Sequence, residues 1–127
     1  MIKLKDLITE KIDYQDIAGQ LVKHYKLRSK VKFGSGNEFA DYVPETDTIK
    51  LRRNYPNTKE FLITVLHEIA HALDAKNLGA KKFMKKYIQA GTIAAHGGLD
   101  PHDNNKWEKR ADNWAKREYK SKWANHL

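Results

Sequence analysis

The sequence predicts an α+β domain in which a small antiparallel sheet packs on a central helix and a C-terminal helix follows. Three observations support this prediction. The chain opens with an amphipathic pattern, its next part alternates apolar and polar residues around turn signals, and its second half contains two long helical patterns. Strands and helices in such separate runs are typical of the α+β class. We expect one domain, residues 1–127, because a chain of this length can bury a hydrophobic core of its own.

The first half supplies one helix and three strands. Residues 3–26 place apolar side chains at mixed three- and four-residue spacings, which predicts an amphipathic helix with a break near Asp13. A short strand is predicted at residues 31–33, before a Gly-Ser-Gly-Asn turn. Residues 39–43 and 48–52 follow as the strands of a hairpin. In the second of them apolar and basic residues alternate, as in a strand with one buried face.

The second half begins with a strong helix signal. Asn57 suits the N-cap position, and Glu60, three residues later, can complete a capping box. Apolar residues then lie around much of the helix circumference, which is typical of a helix buried on most sides. Gly79 is expected to end this helix. The apolar positions are Phe61, Leu62, Val65, Leu66, Ile69, Ala70, Ala72 and Leu73.

Two more helices and a loop complete the chain. A short basic helix is predicted at residues 81–89, a polar loop with the sequence GTIAAHGGLDPHDNN at residues 91–105, and a last helix at residues 106–120. Three tryptophans are expected to anchor the last segment to the core rather than to stack on nucleic-acid bases: Trp107, Trp114 and Trp123.

Composition excludes several classes of protein. Hydrophobic residues make up 40% of the chain and charged residues 31%, which indicates a soluble globular domain rather than a disordered one. No apolar run approaches the roughly 18 residues that a transmembrane helix needs. Charged residues interrupt the N-terminal segment, so we expect neither a membrane partner nor a secretory signal. The absence of cysteine excludes disulfides and thiolate metal ligands and fits a cytoplasmic monomer.

The formal net charge of +8 raises the question of a nucleic-acid partner. Basic pairs are scattered along the chain and mixed with acidic residues, so we interpret them as solvated surfaces that give solubility and weak affinity for polyanions. Nucleic-acid binding stays a weakly supported alternative. The pairs are Arg52-Arg53, Lys81-Lys82, Lys85-Lys86 and Lys109-Arg110.

The segment TVLHEIAHALD places two histidines and a glutamate inside the apolar helix. His67 and His71 are four residues apart, so both imidazoles project from one face and can reach one zinc ion at about 2.0–2.1 Å. Glu68 points beside that face, where its carboxylate can hold a water and take its proton, as in the HExxH pattern. A hydrogen-bonded core is the alternative, but it would need partners for three buried polar groups at once.

A catalytic zinc site needs a third protein ligand and one open position. The extended motif HExxHxxGxxH is excluded because Asp74 and Asn77 occupy its last two defined positions. Glu108 and Asp112 lie four residues apart on one face of the last helix. We predict Glu108 as the third ligand and Asp112 as the acceptor for the free N–H of a ligand histidine. The alternative role of Glu108 is a surface salt bridge.

The loop of residues 91–105 contains other candidates. His96 and His102 are alternatives for the third ligand. His96, followed by two glycines, is also predicted to donate to the carbonyl oxygen that becomes negative during peptide hydrolysis. Tyr87 and Tyr119 are weaker candidates for this catalytic role, and incidental histidines in a polar surface loop are the other interpretation. Two further oxygen donors lie in the same loop: Asp100 and Asp103.

These motifs carry a resemblance to a known family. HEIAH at residues 67–71 followed by EKRAD at residues 108–112 resembles the gluzincin metallopeptidases, which have HExxH and then ExxxD or ExxA(D/N). More narrowly, the chain resembles the small ImmA/IrrE-type domains of bacteria and phages. In those domains a hairpin precedes the HExxH helix, and the second motif ends in an aromatic residue and alanine, here Trp114-Ala115. The match covers residues 48–115, with diagnostic motifs at 67–71 and 108–115 only.

The resemblance implies a zincin-like fold, here a minimal gluzincin domain, and a Zn²⁺-dependent peptidase that cuts a protein or peptide substrate. His67, His71 and Glu108 would hold the zinc, and Glu68 would act as general base. The substrate strand would lie along an edge strand, for which residues 48–52 are expected. Two alternatives stay open: a zinc-containing regulatory or binding module with little turnover, and a protease acting on nucleic-acid-associated proteins.

Overall fold

The computed structural model describes residues 13–34 and 40–126. One helix and three short strands precede three successive helices, which confirms the predicted α+β class. The helices are α1 (Tyr14–His24), α2 (Thr58–Leu78), α3 (Ala80–His96) and α4 (Lys106–Glu118), and the strands are β1 (Lys30–Phe33), β2 (Asp41–Val43) and β3 (Thr48–Leu51). A π-helical turn (Tyr119–Trp123) and a 3-10 turn (Ala124–His126) follow α4. Among the described helices, none combines the length and apolar character needed to cross a membrane.

Helix α1 begins where the amphipathic pattern of the sequence is interrupted. The Asp13 carboxylate accepts hydrogen bonds from the backbone N–H groups of Gln15 at 3.1 Å and Asp16 at 3.2 Å, so it caps the helix. A helix thus begins at the point where the break was predicted. The part of the predicted helix before residue 13 lies outside the described residues, as do three of the four residues of the predicted Gly-Ser-Gly-Asn turn.

The sheet is mixed rather than antiparallel, which corrects the prediction. Its order is β1-β3-β2; β3 pairs antiparallel with β2 and parallel with β1. The four-residue turn at 44–47 allows only an antiparallel β2–β3 pair. The chain first forms β2 at the edge away from β1 and then turns back, so that β3 fills the position between β1 and β2. In this position β3 runs antiparallel to β2 and parallel to β1. Apolar alternation does not encode strand direction, and the sequence could not predict it.

The strand order also corrects the position of the predicted substrate edge. Residues 48–52 were expected to form an edge strand, but Ile49 of β3 pairs with Val31 on one side and Tyr42 on the other. Within the described sheet, the edge strands are β1 and β2. An incoming peptide strand therefore cannot pair with β3 without displacing one of its neighbours.

Helix α2 is the centre of the fold, as the sequence predicted. Helices α1, α3 and α4 and strands β2 and β3 all contact it. Its N-terminus is capped by Asn57, whose side-chain oxygen accepts the Glu60 N–H at 2.8 Å. Its end is set by Gly79, whose φ of +89° is strained for other residues. The completely buried side chains of α2 are Phe61, Leu62, Val65, Leu66 and Ile69.

Helix α3 is longer than predicted, which shortens the following loop to residues 97–105. The sequence predicted a helix at 81–89, but the helix continues to His96 because Ala90 and Ala94 extend its buried stripe. Gly91 was interpreted as part of the loop, yet it lies within the helix beside the Pro101 carbonyl of the returning loop. The predicted anchoring role of the tryptophans is confirmed, since Trp123 is buried and Trp107 and Trp114 pack half-buried against the core.

Candidate metal centre

Three of the predicted site residues converge between α2 and α4. His67, His71 and Glu108 each offer one ligand atom, and the three atoms lie within 4.8 Å of one another. His71 Nε2 contacts Glu108 Oε1, and His67 Nε2 lies 3.4 Å from the same oxygen. His71 and Glu108 are buried, and the His67 side chain is 20% exposed. The three residues are close enough to hold a metal ion.

The convergence follows from two local features of the chain. The i, i+4 spacing places His67 and His71 one turn apart on the same face of α2. On α4, Ala111 and Ala115 are completely buried, and their small side chains let α4 approach α2 closely. Glu108 lies one turn before Ala111 on this face and therefore reaches the two imidazoles.

The start of α4 is fixed by a residue that the sequence analysis did not single out. Asn105 is completely buried; its side-chain oxygen accepts the Trp107 N–H at 2.9 Å, and its Nδ2 donates to the Tyr87 carbonyl at 2.9 Å. Asn105 thus caps α4 and ties it to α3 just before Glu108. The Asn-x-x-Glu spacing of a capping box was the available signal in the sequence.

A second missed contact joins α2 to α4 beyond the cluster. Arg110 donates to both carboxylate oxygens of Asp74, from Nη2 at 3.2 Å and from Nε at 3.3 Å. Asp74 is buried, and it lies three residues after His71 on α2. This two-point contact fixes the rotation of α4 relative to α2. In the sequence, the signal for this contact was the position of Asp74, which lies three residues after the candidate ligand His71.

Glu68 is buried beside the cluster but is not one of its three converging groups. Burial raises the pKa of its carboxyl to about 8; the neighbouring His67 opposes this shift, and the negative charges of Glu108 and Asp41 add to it. A carboxyl with such a pKa exchanges a proton near neutral pH. Glu68 therefore lies next to the three candidate ligands without being one of them.

The charges of the cluster depend on one another. Burial alone would raise the pKa of Glu108, but the hydrogen bonds and positive charge of His67 and His71 outweigh it and hold that pKa well below its usual range. For His67, burial lowers the pKa, while the hydrogen bond to Glu108 and the charge of Glu68 raise it above its ordinary value. Protons and a metal ion therefore compete for the same nitrogen atoms.

The outer nitrogen atoms of the two histidines have different surroundings. Asp112 Oδ1 lies 3.7 Å from His67 Nδ1, which is longer than a hydrogen bond, and Asp112 Oδ2 lies 3.0 Å from Lys116 Nζ. Asp112 thus lies near the histidine nitrogen for which it was predicted as the acceptor, but the two atoms are too far apart to form a hydrogen bond. His71 Nδ1 is buried and has no hydrogen-bond partner among the described residues.

The structure brings His102, and not His96, to the cluster. His102 Nε2 lies 2.5 Å from Glu108 Oε2. Its loop is shaped by Asp100, whose carboxylate accepts the backbone N–H groups of His102 at 2.9 Å and Asp103 at 2.8 Å. His96 is the exposed last residue of α3 and lines neither of the two cavities at the cluster.

The two tyrosines named as candidates also differ. Tyr87 lines the cavity above the cluster, with its ring centroid 6.0 Å from that of His71. Burial and then the charge of Glu108 raise the pKa of Tyr87, so its hydroxyl stays protonated and able to donate a hydrogen bond. Tyr119 lies in the π-helical turn and lines neither cavity.

Two cavities meet at the cluster. One, of about 230 Å³, has largely apolar walls and the three ligand candidates in its lining. The other is a cleft of about 1030 Å³, lined mostly by charged and polar residues, that runs past Glu60, Thr64 and Asp112. Both are lined by the start of the edge strand β2. The apolar walls of the first cavity are Tyr42, Pro44, Phe83, Met84, Tyr87 and Ile88, and the residues shared by both cavities are Ala40, Asp41, His67, Glu68 and His102.

Comparisons with known proteins found no relative: no protein-family model matches the chain, no curated protein matches it, and no solved structure matches it.

Proposed function

We propose that this protein is a zinc-dependent peptidase of the gluzincin type that hydrolyses peptide bonds of a protein substrate. The observation that carries the proposal is the convergence of His67, His71 and Glu108 within 4.8 Å beside the buried carboxyl of Glu68. The cluster lies where an apolar cavity opens into a larger cleft, so a peptide has room to reach it. The resemblance of the HEIAH and EKRAD motifs to gluzincins supports the same function.

The donor atoms fit zinc. Two imidazole nitrogens and one carboxylate oxygen form a set that zinc accepts in catalytic sites with one open position, whereas calcium and magnesium prefer oxygen ligands alone. His67, His71 and Glu108 would hold the ion. Zinc bound there would polarise the carbonyl group of the substrate and lower the pKa of a water molecule.

Glu68 would move the proton. Its carboxylate would accept one proton from the attacking water while the water oxygen bonds to the carbonyl carbon. Glu68 would then give this proton to the nitrogen of the breaking C–N bond, so that the amine leaves neutral and the carboxylate is regenerated. Burial raises the pKa of Glu68 in the metal-free chain, and the positive charge of a bound zinc ion would lower it again, so that the carboxylate is free to accept the proton.

Tyr87 and His102 are the donors that would stabilise negative charge on the carbonyl oxygen. Both line the apolar cavity together with the candidate ligands, whereas His96, which the sequence favoured, does not. The Tyr87 hydroxyl stays protonated because burial raises its pKa. A fixed donor at this point stabilises the charge that develops in the transition state.

Strand β2 is the edge that a substrate would use. Ala40 and Asp41, at its start, line both cavities, and within the described sheet β2 pairs on one side only, with β3. A peptide bound along β2 would gain backbone hydrogen bonds and pass directly over the cluster. One of its side chains would enter the apolar cavity.

The test compares Glu68→Gln, Glu108→Ala and Glu118→Gln by metal analysis and by cleavage of a proteome-derived peptide library followed by mass spectrometry. The Gln variant at 68 should keep one zinc per chain and lose at least about a hundredfold in turnover, because the general base is removed. Glu108→Ala should lose the zinc. Glu118→Gln, on the same helix but away from both cavities, should keep zinc and turnover. Native turnover in Glu68→Gln would contradict the mechanism.

One observation favours a second function, a zinc-binding module with little turnover. His102 lies 2.5 Å from Glu108, close enough to supply a third imidazole as the fourth ligand and close the open position. In that case the native chain would hold one zinc and cut no peptide, and His102→Ala would gain cleavage. If His102 acts instead as a donor to the carbonyl oxygen, the same variant would lose turnover and keep its zinc.

A further inference from the structure

Residues 75–99 form a long stretch in which all the charged residues have one sign. They contain no aspartate or glutamate and five lysines: Lys76, Lys81, Lys82, Lys85 and Lys86. The last four lie on α3, and no described residue forms an ion pair with them. On α4 and the turn after it, by contrast, Lys116 is paired with Asp112 and Lys122 with Glu118. Helix α3 therefore presents positive charge that nothing in the described chain neutralises.

The same region exposes apolar side chains. Ile88 is 62% exposed, Ile93 68% and Leu99 54%, and these are the large exposed hydrophobic residues of the described chain. Ile93 and Leu99 line a groove of about 270 Å³ between α3 and the following loop, with Lys86 and Lys106 at its sides. Two exposed aliphatic side chains in one groove form an apolar patch of the kind that a binding partner covers.

The same helix forms one wall of the candidate active site. Ile88, together with Met84, lines the apolar cavity above the candidate metal cluster, while Lys86 and Ile93 line the groove on the other flank of α3. We call Lys82, Lys86, Ile93 and Leu99 the α3 surface. A peptide that leaves the cavity past Ile88 can reach the α3 surface by crossing the exposed side of the helix, which is about 10–12 Å wide and needs only a few extended residues. A ligand of this surface and a substrate of the site can therefore be one chain.

We propose that the α3 surface binds an acidic segment of the protein substrate, rich in Asp or Glu and carrying aliphatic side chains, outside the bond that is cut. Charge complementarity selects the acidic residues, and the groove accepts an aliphatic side chain. That the bound segment belongs to a substrate rests on the proposed peptidase function. The binding itself requires neither zinc nor cleavage.

The surface fits other polyanions less well. Single-stranded nucleic acid is held by cations together with aromatic rings that stack on bases, whereas the α3 surface combines its lysines with isoleucine and leucine. A membrane-bound helix inserts one continuous apolar face, whereas Ile88 lines the cavity and Ile93 lines a separate groove. A peptide with both charge and aliphatic groups matches both features.

The experiment selects 12-residue peptides from a random display library on the immobilised Glu68→Gln chain, which cannot consume them. Selected peptides should be enriched in Asp and Glu with Leu, Ile or Val, and their affinity should fall as salt rises. The double variant Lys82→Glu/Lys86→Glu should lose at least about tenfold in affinity, and Ile93→Ser a smaller factor. Lys30→Glu/Lys32→Glu, the same charge change on exposed residues of β1, should stay within about twofold.

Circular dichroism and thermal unfolding show whether each variant is folded. If Lys82→Glu/Lys86→Glu does not fold, Lys82→Gln/Lys86→Gln is measured in its place. The proposal is overturned if no peptide is recovered, if recovered peptides lack acidic enrichment, or if the β1 pair loses as much affinity as the α3 pair. It is also overturned if oligo(dT) or phosphatidylserine vesicles bind through these lysines while acidic peptides do not. A chain that binds these peptides but cuts nothing would refute the peptidase function and leave the surface intact.

Discussion

At the end of α4 that lies away from the His67–His71–Glu108 cluster, four side chains form a polar contact: Tyr25, Glu118, Lys122 and Trp123. The Tyr25 hydroxyl donates to the Glu118 carboxylate at 2.8 Å and accepts from Trp123 Nε1 at 3.2 Å, and Lys122 lies 2.9 Å from the same carboxylate. Burial raises the pKa of Glu118, but the hydrogen bonds from Lys122 and Tyr25 outweigh it and lower that pKa below its ordinary value. These residues join α1 to the end of the chain.

The protonation of Glu118 should therefore change the free energy of unfolding as the pH changes. Because the folded-state pKa lies below the unfolded value, Glu118 stabilises the fold at pH above the ordinary glutamate pKa of about 4.3. This contribution is lost as pH falls through the lower, folded-state pKa. Glu118→Gln should be less stable than the native chain by under about 1 kcal/mol at pH 6–7, since the pair is partly exposed. The difference should shrink toward zero in acid.

Urea unfolding at pH 7, 5 and 3 in the presence of EDTA measures this difference without any contribution from bound metal. Glu45→Gln is the control, because it makes the same chemical change at an exposed glutamate in the turn between β2 and β3. A stability difference for Glu118→Gln that grows as the pH falls would have the wrong sign and would contradict the assignment.

At the scale of single elements, Asn105 and the Asp74–Arg110 contact should decide whether the candidate ligands meet. Helix geometry places His67 and His71 on one face of α2, but Glu108 reaches them only if α4 begins at the right residue and has the right rotation. Asn105 caps the start of α4, and the contact between Asp74 and Arg110 holds its rotation. The position of a candidate ligand thus depends on side chains outside the cluster.

Asn105→Ala should separate folding from ligand placement. The variant loses the α4 cap, which costs about 1–2 kcal/mol, and leaves the buried Tyr87 carbonyl without this donor. Because the start of α4 is then free to shift, zinc affinity should also fall, by about 10–100-fold as for other residues that orient ligands. Urea unfolding in EDTA and zinc titration against a competing chelator measure the two effects.

Asn104→Ala is the matched control for this prediction. Asn104 is the neighbouring asparagine, and its side chain makes only a 3.3 Å hydrogen bond to the Asp100 carbonyl within the loop. It should change stability by under about 0.5 kcal/mol and leave zinc affinity unchanged. Equal losses in the two variants would show that Asn105 has no special role in placing Glu108.

At the scale of the whole molecule, metal binding should be linked to folding because the three ligand candidates come from α2 and α4. His67 and Glu108 are 41 residues apart in the chain and meet only when the helices pack. Zinc at 100 times its dissociation constant should then add about 2.7 kcal/mol to the free energy of unfolding, provided the unfolded chain does not bind it. EDTA should remove this increment.

Thermal unfolding with zinc and with EDTA, followed by circular dichroism, tests this linkage. The native chain should unfold at a higher temperature with zinc, whereas Glu108→Ala should show little or no shift. Glu118→Gln, which keeps all three ligands, should shift as the native chain does. An equal zinc-dependent shift in Glu108→Ala would remove Glu108 from the ligand set.

Features that depend on residues within about four positions of one another were predictable. Helix geometry alone places His67 and His71 on one face of α2. Local capping by Asn57 and Gly79 sets the two ends of that helix, and a four-residue turn makes β2 and β3 a hairpin. The third ligand candidate was also predicted, because Glu108 and Asp112 lie four residues apart on one face of the last helix. In each case the interaction is encoded in neighbouring residues.

Other features were decided only when the elements packed. The parallel β1–β3 pair makes β2 the edge beside the site, and neither strand direction nor strand order is encoded in apolar alternation. Helix α3 continues through Gly91 because its buried face gains tertiary contacts, and this carries His96 away while the short loop returns with His102. The sequence by itself determined which side chains could bind a metal. Long-range packing decided which of them meet, because each contact between α2 and α4 depends on the docking of whole helices.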